Sequence, residues 1–289
     1  LVGSEMCIRD RFLNEDDMSA QFCEFNADGS SGMNENREIT ASIANSEPFK
    51  AFAAAHQVRT CNEELFAGWV DEFLKIYDTY DSKVANPHVA IVDFLENAIT
   101  EEFKIFAGLF AERGIECSVY DVRDLAFENG ELIGKKSFYG RDNAKIDVIW
   151  RRSVTNDIID NWEASQALIS AVRERKVALI GSFAGHLVHD KQIFQVLHMP
   201  ETQALLTDEE NDFVRDTVPF TSFLTSDVVA ERNVKATREN WIIKPTDAYG
   251  SKDVFAGSNY THEQWVEIVD AHVDSKAGAP FLVQRYCTP

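Results

Sequence analysis

The segment His88-Val-Ala-Ile-Val-Asp-Phe94 is apolar almost without interruption. A strand with one wet face alternates polar and apolar residues, whereas an unbroken run belongs to a strand covered on both faces, as in a parallel sheet. The neighbouring sequence fits that reading. Thr100 to Arg113 has helical spacing and stops at Gly114, Ile115 to Tyr120 and Ile146 to Trp150 read as strands, Ala164 to Arg175 as a helix, and Val177 to Ile180 as a strand. Such alternation predicts a doubly wound parallel α/β sheet over roughly 85–200. Before it, from Pro48 to Tyr80, residues Phe52, Leu65, Trp69, Phe73 and Ile76 recur at helical spacing and predict two amphipathic helices. Gln21 to Phe25 reads as a short strand running into a turn-rich stretch, Asn26 to Gly32.

Beyond residue 200 the pattern changes. Thr207 and Glu210 form a capping box, Trp241 to Pro245 is a strand, Thr261 to His272 a helix, and Pro280 to Tyr286 a strand that ends the sequence with incomplete neighbours. The abrupt ends suggest a truncated chain. Residues 1–11 resemble sequencing-adapter read-through and are set aside from fold reasoning. The remainder divides into 12–84, 85–200 and 201–289.

Charge and cysteines narrow the function classes. With 28 Lys and Arg against 48 Asp and Glu, the net charge is −20, which speaks against a nucleic-acid partner. The five cysteines (Cys7, Cys23, Cys61, Cys117, Cys287) are scattered and contain no C-x-x-C pair, so neither a disulfide framework nor a thiolate zinc site is expected. The longest charge-free apolar stretch, Val177 to Val188, is far short of a membrane span, and no secretory signal is present, so a cytoplasmic protein is expected.

The chemistry rests on lysines and one polar strand. No G-x-x-x-x-G-K-[ST], G-x-G-x-x-G or H-E-x-x-H occurs. Lys244 lies in an otherwise apolar strand, where its ammonium must snorkel or meet an anion. Lys252, in Tyr249-Gly-Ser-Lys-Asp-Val254, adjoins backbone amides able to cover phosphate, and Lys191 stands at a helix start that favours anions. The ordinary reading of each is a solvated lysine; together they suggest polyphosphate binding without a Walker loop. Glu24 and Asn26 share one face of their strand and suit a hard cation such as Mg²⁺, the plain alternative being a polar strand edge. Arg151 and Arg152 end a parallel strand, where α/β sheets place ligands, and either a bidentate clamp on a substrate carboxylate or a surface salt bridge is expected.

Five pieces occur in one order: Phe22-Cys-Glu-Phe-Asn-Ala-Asp-Gly29, Asp147-Val-Ile-Trp-Arg-Arg152, His189-Asp-Lys-Gln-Ile-Phe194, Trp241-Ile-Ile-Lys-Pro245 with Tyr249-Gly-Ser-Lys252, and Phe281-Leu-Val-Gln-Arg-Tyr286. In this order they resemble the circularly permuted ATP-grasp proteins related to glutathionylspermidine synthase. The resemblance implies an ATP-grasp-like fold with a Rossmann-like parallel-sheet domain inserted between the metal strand and the nucleotide-binding lysines. It implies Glu24 and Asn26 as Mg²⁺ ligands, Lys191 and Lys244 as nucleotide-binding lysines, and Tyr249, Gly250, Ser251 and Lys252 as the phosphate loop. Gln284, Arg285 and Tyr286 would line the adenine, partly through main chain, and Asp28, Ser30 and Ser31 would face the substrate. A further metal aspartate of the family falls near residue 10, where Asp10 is not taken as its stand-in.

The implied activity is ATP- and Mg²⁺-dependent joining of a small-molecule or peptide carboxylate to an amine through an acyl phosphate, with this fragment expected to be inactive. A nucleotide-binding module without ligase turnover is the alternative. A dinucleotide oxidoreductase lacks its glycine fingerprint.

Overall fold

The computed structural model describes residues 8–14, 16–30, 32–96, 98–248, 252–275 and 280–287. In chain order, β1 (Ile8–Leu13) and β2 (Ala20–Asn26) are followed by helices α1 (Met33–Ala44), α2 (Glu47–Ala55) and α3 (Asn62–Tyr77). Next come β3 (His88–Asp93), α4 (Thr100–Glu112) and β4 (Glu116–Asp121). Four short strands follow, β5 (Leu125–Glu128), β6 (Glu131–Gly134), β7 (Ser137–Tyr139) and β8 (Ala144–Ile146), then β9 (Val148–Arg151), α5 (Thr155–Asp160), α6 (Gln166–Arg173) and β10 (Ala178–Ile180). The remainder is α7 (Gly185–His189), α8 (Gln192–Leu197), α9 (Pro200–Gln203), α10 (Asp208–Thr217), β11 (Thr221–Phe223) and α11 (Ser226–Glu231). After these come β12 (Trp241–Pro245), β13 (Phe255–Ala256), α12 (His262–His272) and β14 (Phe281–Arg285).

Two compact units result. One gathers residues 28–183, and the other joins residues 8–27 to 184–287. The first is built on a five-stranded sheet ordered β10-β9-β3-β4-β7, parallel except for β7. Alternate residues of its strands feed two cores. Val89, Ile91 and Trp150 pack with Met33, Phe66, Phe73 and Phe106 from α1, α3 and α4, whereas Ala90, Val92 and Tyr120 pack with Leu132, Ile146 and Leu168. Covered on both faces, β3 has no position for a polar residue between His88 and Asp93, which accounts for its apolar run from Val89 to Val92. The expected division at 84/85 falls inside this unit, because α1 and α3 supply one of its two cores. Phe52 and Leu65, expected on shared helix faces, remain exposed, and α2 buries no residue.

The second unit holds a four-stranded antiparallel sheet ordered β11-β14-β12-β13. β14 lies inside it, paired on both sides, with Leu282 and Val283 fully buried. The strand expected to lack neighbours therefore has two. Trp241, Ile243, Trp265, Val269 and Val283 form the core, and the expected Thr207–Glu210 box caps α10.

β1 pairs with β2, so residues 8–11, set aside on the sequence, belong to a strand. The register slips by one between Asp10 and Arg11, leaving Cys23 as an extra residue in β2. This bulge breaks the strand's alternation. It lets Phe22 and Phe25 meet edge to face at 5.2 Å and pack on Phe213 and Phe194, while Glu24 keeps its place opposite Asp10 in the register. Among the described residues no helix is long and apolar enough to cross a membrane.

Two glycines in the turn after β2 have positive φ, with different surroundings. At Gly29 (φ 64°) a Cβ would lie 2.3 Å from the Arg152 carbonyl oxygen, whereas at Gly32 (φ 103°) it would meet nothing within 4 Å. Gly32→Ala should cost only the left-handed strain, about 1–2 kcal/mol. Gly29→Ala adds a backbone clash that no side-chain movement relieves, so it should lower the urea midpoint clearly more. Equal midpoints for the two variants would refute this account of the turn.

Candidate functional site

In the second unit, three of the expected site residues come together. Lys244 is the fourth residue of β12, and its side chain is buried with its strand. Among the described residues its ammonium has one hydrogen bond, a long one of 3.5 Å to the carbonyl of Cys23, the extra residue of the β2 bulge. Burial holds the Lys244 ammonium below the usual lysine range; Glu24 opposes that shift and Lys191 reinforces it. Glu24 and Lys191 are thus both close enough to act on the charge of Lys244. Lys191 immediately precedes α8 and donates from Nζ to the Ala248 carbonyl at 2.7 Å. Neither lysine has a carboxylate within ion-pair distance among the described residues. Two neighbouring ammonium groups, one of them buried, thus stand without an ion-paired carboxylate among the described residues.

The other expected residues of this unit are placed as follows. Asn26 ends β2, two residues beyond Glu24 and half-buried. Tyr249, Gly250 and Ser251 lie outside the described residues, and Lys252 is exposed in a turn. Gln284 is buried in β14 and donates from its side chain to Thr221 Oγ1 at 2.8 Å. The N–H groups of Arg285 and Tyr286 are already used, on the carbonyls of Phe220 and Asn240, both at 2.8 Å. A base lining this strand through main chain would therefore have to use the remaining carbonyls. Among the described residues no three His, Cys, Asp or Glu side chains are grouped to hold a metal ion. Glu24 and Asn26 offer one carboxylate and one amide, hard oxygen donors that suit Mg²⁺ only if phosphates and water complete its shell.

In the first unit the arginine pair takes a role that neither expectation foresaw. Arg151 is fully buried and pairs with Asp28 at 2.7 Å. It also donates to the carbonyls of Gly181 at 2.6 Å, Ser182 at 2.9 Å, and Ser153. Asp28 in turn accepts from the N–H and hydroxyl of Thr155 at 2.8 and 3.0 Å. Arg152 is 3% exposed, pairs with buried Glu102 at 2.8 Å, and stacks near Phe103 and Trp150. The clamp and the surface salt bridge are both replaced by interior ion pairs. Asp28, expected to face substrate, is part of one of them. Ser30 is half-buried, and Ser31 lies outside the described residues.

Four residues at these places were not foreseen. Glu102 resembles any acidic residue in a helix's first turn, and nothing local marks it as buried. His186 and Asp247 flank Lys191 and Ala248, with His186 Nε2 at 3.5 Å from Asp247 Oδ2. Asp93 was legible in part, as a carboxylate at the carboxyl end of a buried strand. Burial pushes it up to about 6, against the pull of Arg152 and of the Phe94 N–H, with Asp157 and Asp121 adding to the rise.

No protein-family model matches this chain, and no curated protein matches it. Among solved structures it is similar to a glutathione synthetase-like effector from Globodera pallida in its apo form, at a TM-score of 0.61 and 10% identity. That superposition covers 99% of this chain and 60% of the effector's, so the chain spans about three fifths of its length. The D-cycloserine synthetase DcsG matches at a TM-score of 0.38 and 15% identity, covering 69% of this chain and 59% of its own. The ATP-grasp ligase PsnB, complexed with a minimal precursor, matches at 0.33 and 18%, covering 69% and 64%. The first likeness is one of fold alone, the mixed α/β architecture shared with that effector, and the other two are too distant to carry an argument.

The Asp93 carboxyl yields a pH prediction. Its folded pKa lies above the usual 3.8, so the folded state binds the proton more tightly than the unfolded state. Its contribution to stability is complete below 3.8 and is lost as the pH rises through about 6. Asp93→Asn should therefore flatten the stability profile over that window and be more stable than wild type above it. Thermal melts of both proteins across the range check this; parallel profiles would contradict it.

Proposed function

We propose that this chain holds the nucleotide-binding part of an ATP-dependent carboxylate–amine ligase of ATP-grasp type. One observation carries the reading: Lys244 is buried in an apolar strand beside Lys191, with no carboxylate in ion-pair contact with either among the described residues. The likeness to the glutathione synthetase-like effector supports it at the level of fold. So does the order along the chain, in which β2 with Glu24 and Asn26 precedes both lysines, as in the circularly permuted relatives of glutathionylspermidine synthase.

In this reading the two ammonium groups neutralise the nucleotide's phosphates, and the segment from Tyr249 to Lys252 covers them. Gln284 to Tyr286 border the base. Glu24 and Asn26 would hold Mg²⁺, which when bound adds positive charge at the phosphates. The γ-phosphoryl group passes to a substrate carboxylate, giving an acyl phosphate and ADP. The amine then attacks the acyl carbon and inorganic phosphate leaves. The lysines supply charge stabilisation and alignment, and no side chain needs to act as a covalent nucleophile.

A second reading, a nucleotide-binding module without ligase turnover, draws on the first unit. Arg151 pairs with Asp28 and Arg152 with Glu102 in the interior, so neither guanidinium is exposed to a substrate carboxylate. ADP release with panels of carboxylates and amines separates the two readings.

Replacing Lys244 by Met removes the buried charge and keeps the apolar stem. ATP affinity, measured by calorimetric titration, should fall by about tenfold or more. Lys235→Met, at a half-buried lysine paired with Asp270, should leave it unchanged. Because burial depresses the Lys244 pKa, wild-type affinity should also decline with rising pH earlier than an ordinary lysine would require. Equal affinities for the two variants would remove Lys244 from the site.

Glu24→Gln keeps the shape of β2 and removes its carboxylate. The Mg²⁺ concentration at half-maximal nucleotide binding should rise severalfold while the melting temperature holds. An unchanged Mg²⁺ requirement would return Glu24 to a plain strand edge.

A further inference from the structure

One edge of the parallel sheet in the first unit borders a cavity of about 630 Å³, inside the range of about 300–1,000 Å³ usual for small-molecule sites. Its lining includes Tyr80 and Asp81 from the turn after α3, Val172 and Arg175 from the end of α6, and Val177 and Leu179 at β10. β10 is an end strand of the sheet and pairs only with β9. The Ala178 N–H donates to the Asp147 carbonyl at 3.1 Å on that side, so the N–H and carbonyl of Leu179 turn to the open side. The Tyr80 hydroxyl donates to the Leu179 carbonyl at 2.5 Å. Among the described residues the Leu179 N–H has no acceptor, although Leu179 is only 7% exposed.

Arg175 is held in a strained conformation. It follows the C-cap of α6 with φ 55°. Its N–H donates to the Val172 carbonyl at 3.0 Å, and the Lys176 N–H donates to the Ala171 carbonyl at 2.9 Å. Helices that close with these two bonds usually place glycine at the left-handed position, where a side chain is strained. Strain of this kind is retained where the side chain serves a purpose that glycine cannot. Acidic residues outnumber Lys and Arg in this chain by 48 to 28, yet among the described residues no carboxylate is in ion-pair contact with Arg175. Asp81, on the same cavity, is likewise without a cationic partner among the described residues. The cavity thus presents a cation, an anion, a main-chain donor and an apolar wall.

We propose that this cavity binds a short apolar peptide with free termini. The peptide's carboxylate meets the guanidinium of Arg175, its ammonium meets Asp81, and one of its carbonyls accepts from the Leu179 N–H. Its side chains lie against Val172 and Val177. The site uses none of the lysines of the second unit and stands or falls independently of them.

Ligand-observed NMR titration of the full chain with leucyl-leucine tests the proposal. Wild type should bind it with a Kd below about 1 mM. N-acetyl-leucyl-leucine, without the ammonium, and leucyl-leucinamide, without the carboxylate, should each bind about tenfold more weakly. Arg175→Gly should weaken leucyl-leucine about tenfold and leave leucyl-leucinamide at its wild-type affinity. The same variant should melt at a higher temperature than wild type, because the strain is relieved. Asp81→Asn should weaken leucyl-leucine about tenfold and leave the N-acetyl peptide unchanged. Failure of wild type to bind leucyl-leucine would overturn the proposal. So would an N-acetyl peptide bound as tightly as the free dipeptide, or an Arg175→Gly variant with undiminished affinity for it.

Discussion

One buried guanidinium ties three stretches of the first unit together. Arg151 ends β9, and its donors reach the turn after β9, the turn after β10, and Asp28 far earlier in the chain. A charge taken from water is tolerated only when such partners surround it, and removing one partner from a buried pair is among the costliest single changes a protein can suffer. The carboxyl ends of β9 and β10 are therefore fixed by an electrostatic requirement as well as by packing. The same requirement fixes Asp28 just after β2. Arg152 and Glu102 repeat the arrangement one residue along, with Glu102 also receiving the Asn34 N–H at 2.9 Å.

What could be read in the sequence follows from how far each signal reaches. The parallel sheet was legible because burial on both faces writes itself into consecutive residues, as in Val89 to Val92. The box at Thr207 and Glu210 was legible because both halves lie within one turn. The small sheet of β5, β6 and β8 was not, since strands of three or four residues complete no recognisable period. Helix α1 was missed because it buries only Met33 and shows little apolar stripe. The interior pairing of the two arginines was not legible, since their partners Asp28 and Glu102 are distant in sequence and nothing near residue 151 announces them.

The second unit shows the opposite balance. Lys244 looked unusual in the sequence because an ammonium in an apolar strand is expensive, and the structure keeps it both buried and short of partners. Such a group is destabilising by itself, and packing alone does not account for it. What the sequence did not disclose is the company it keeps. The nearness of Lys191 depends on how the start of α8 meets the end of β12, through the main-chain bond from Lys191 to Thr246.

The extra residue in β2 carries information of an unusual kind. If Cys23 were deleted, every named residue of the site would survive, and the shortened strand would alternate regularly, with Phe22 and Phe25 on one side and Glu24 and Asn26 on the other. The loss would be a peptide carbonyl, the one that receives the Lys244 ammonium. That function is written in the length of the strand and not in any letter of it. Two homologues could therefore agree at all the positions a motif would score and still differ in whether their buried lysine has anything to hold.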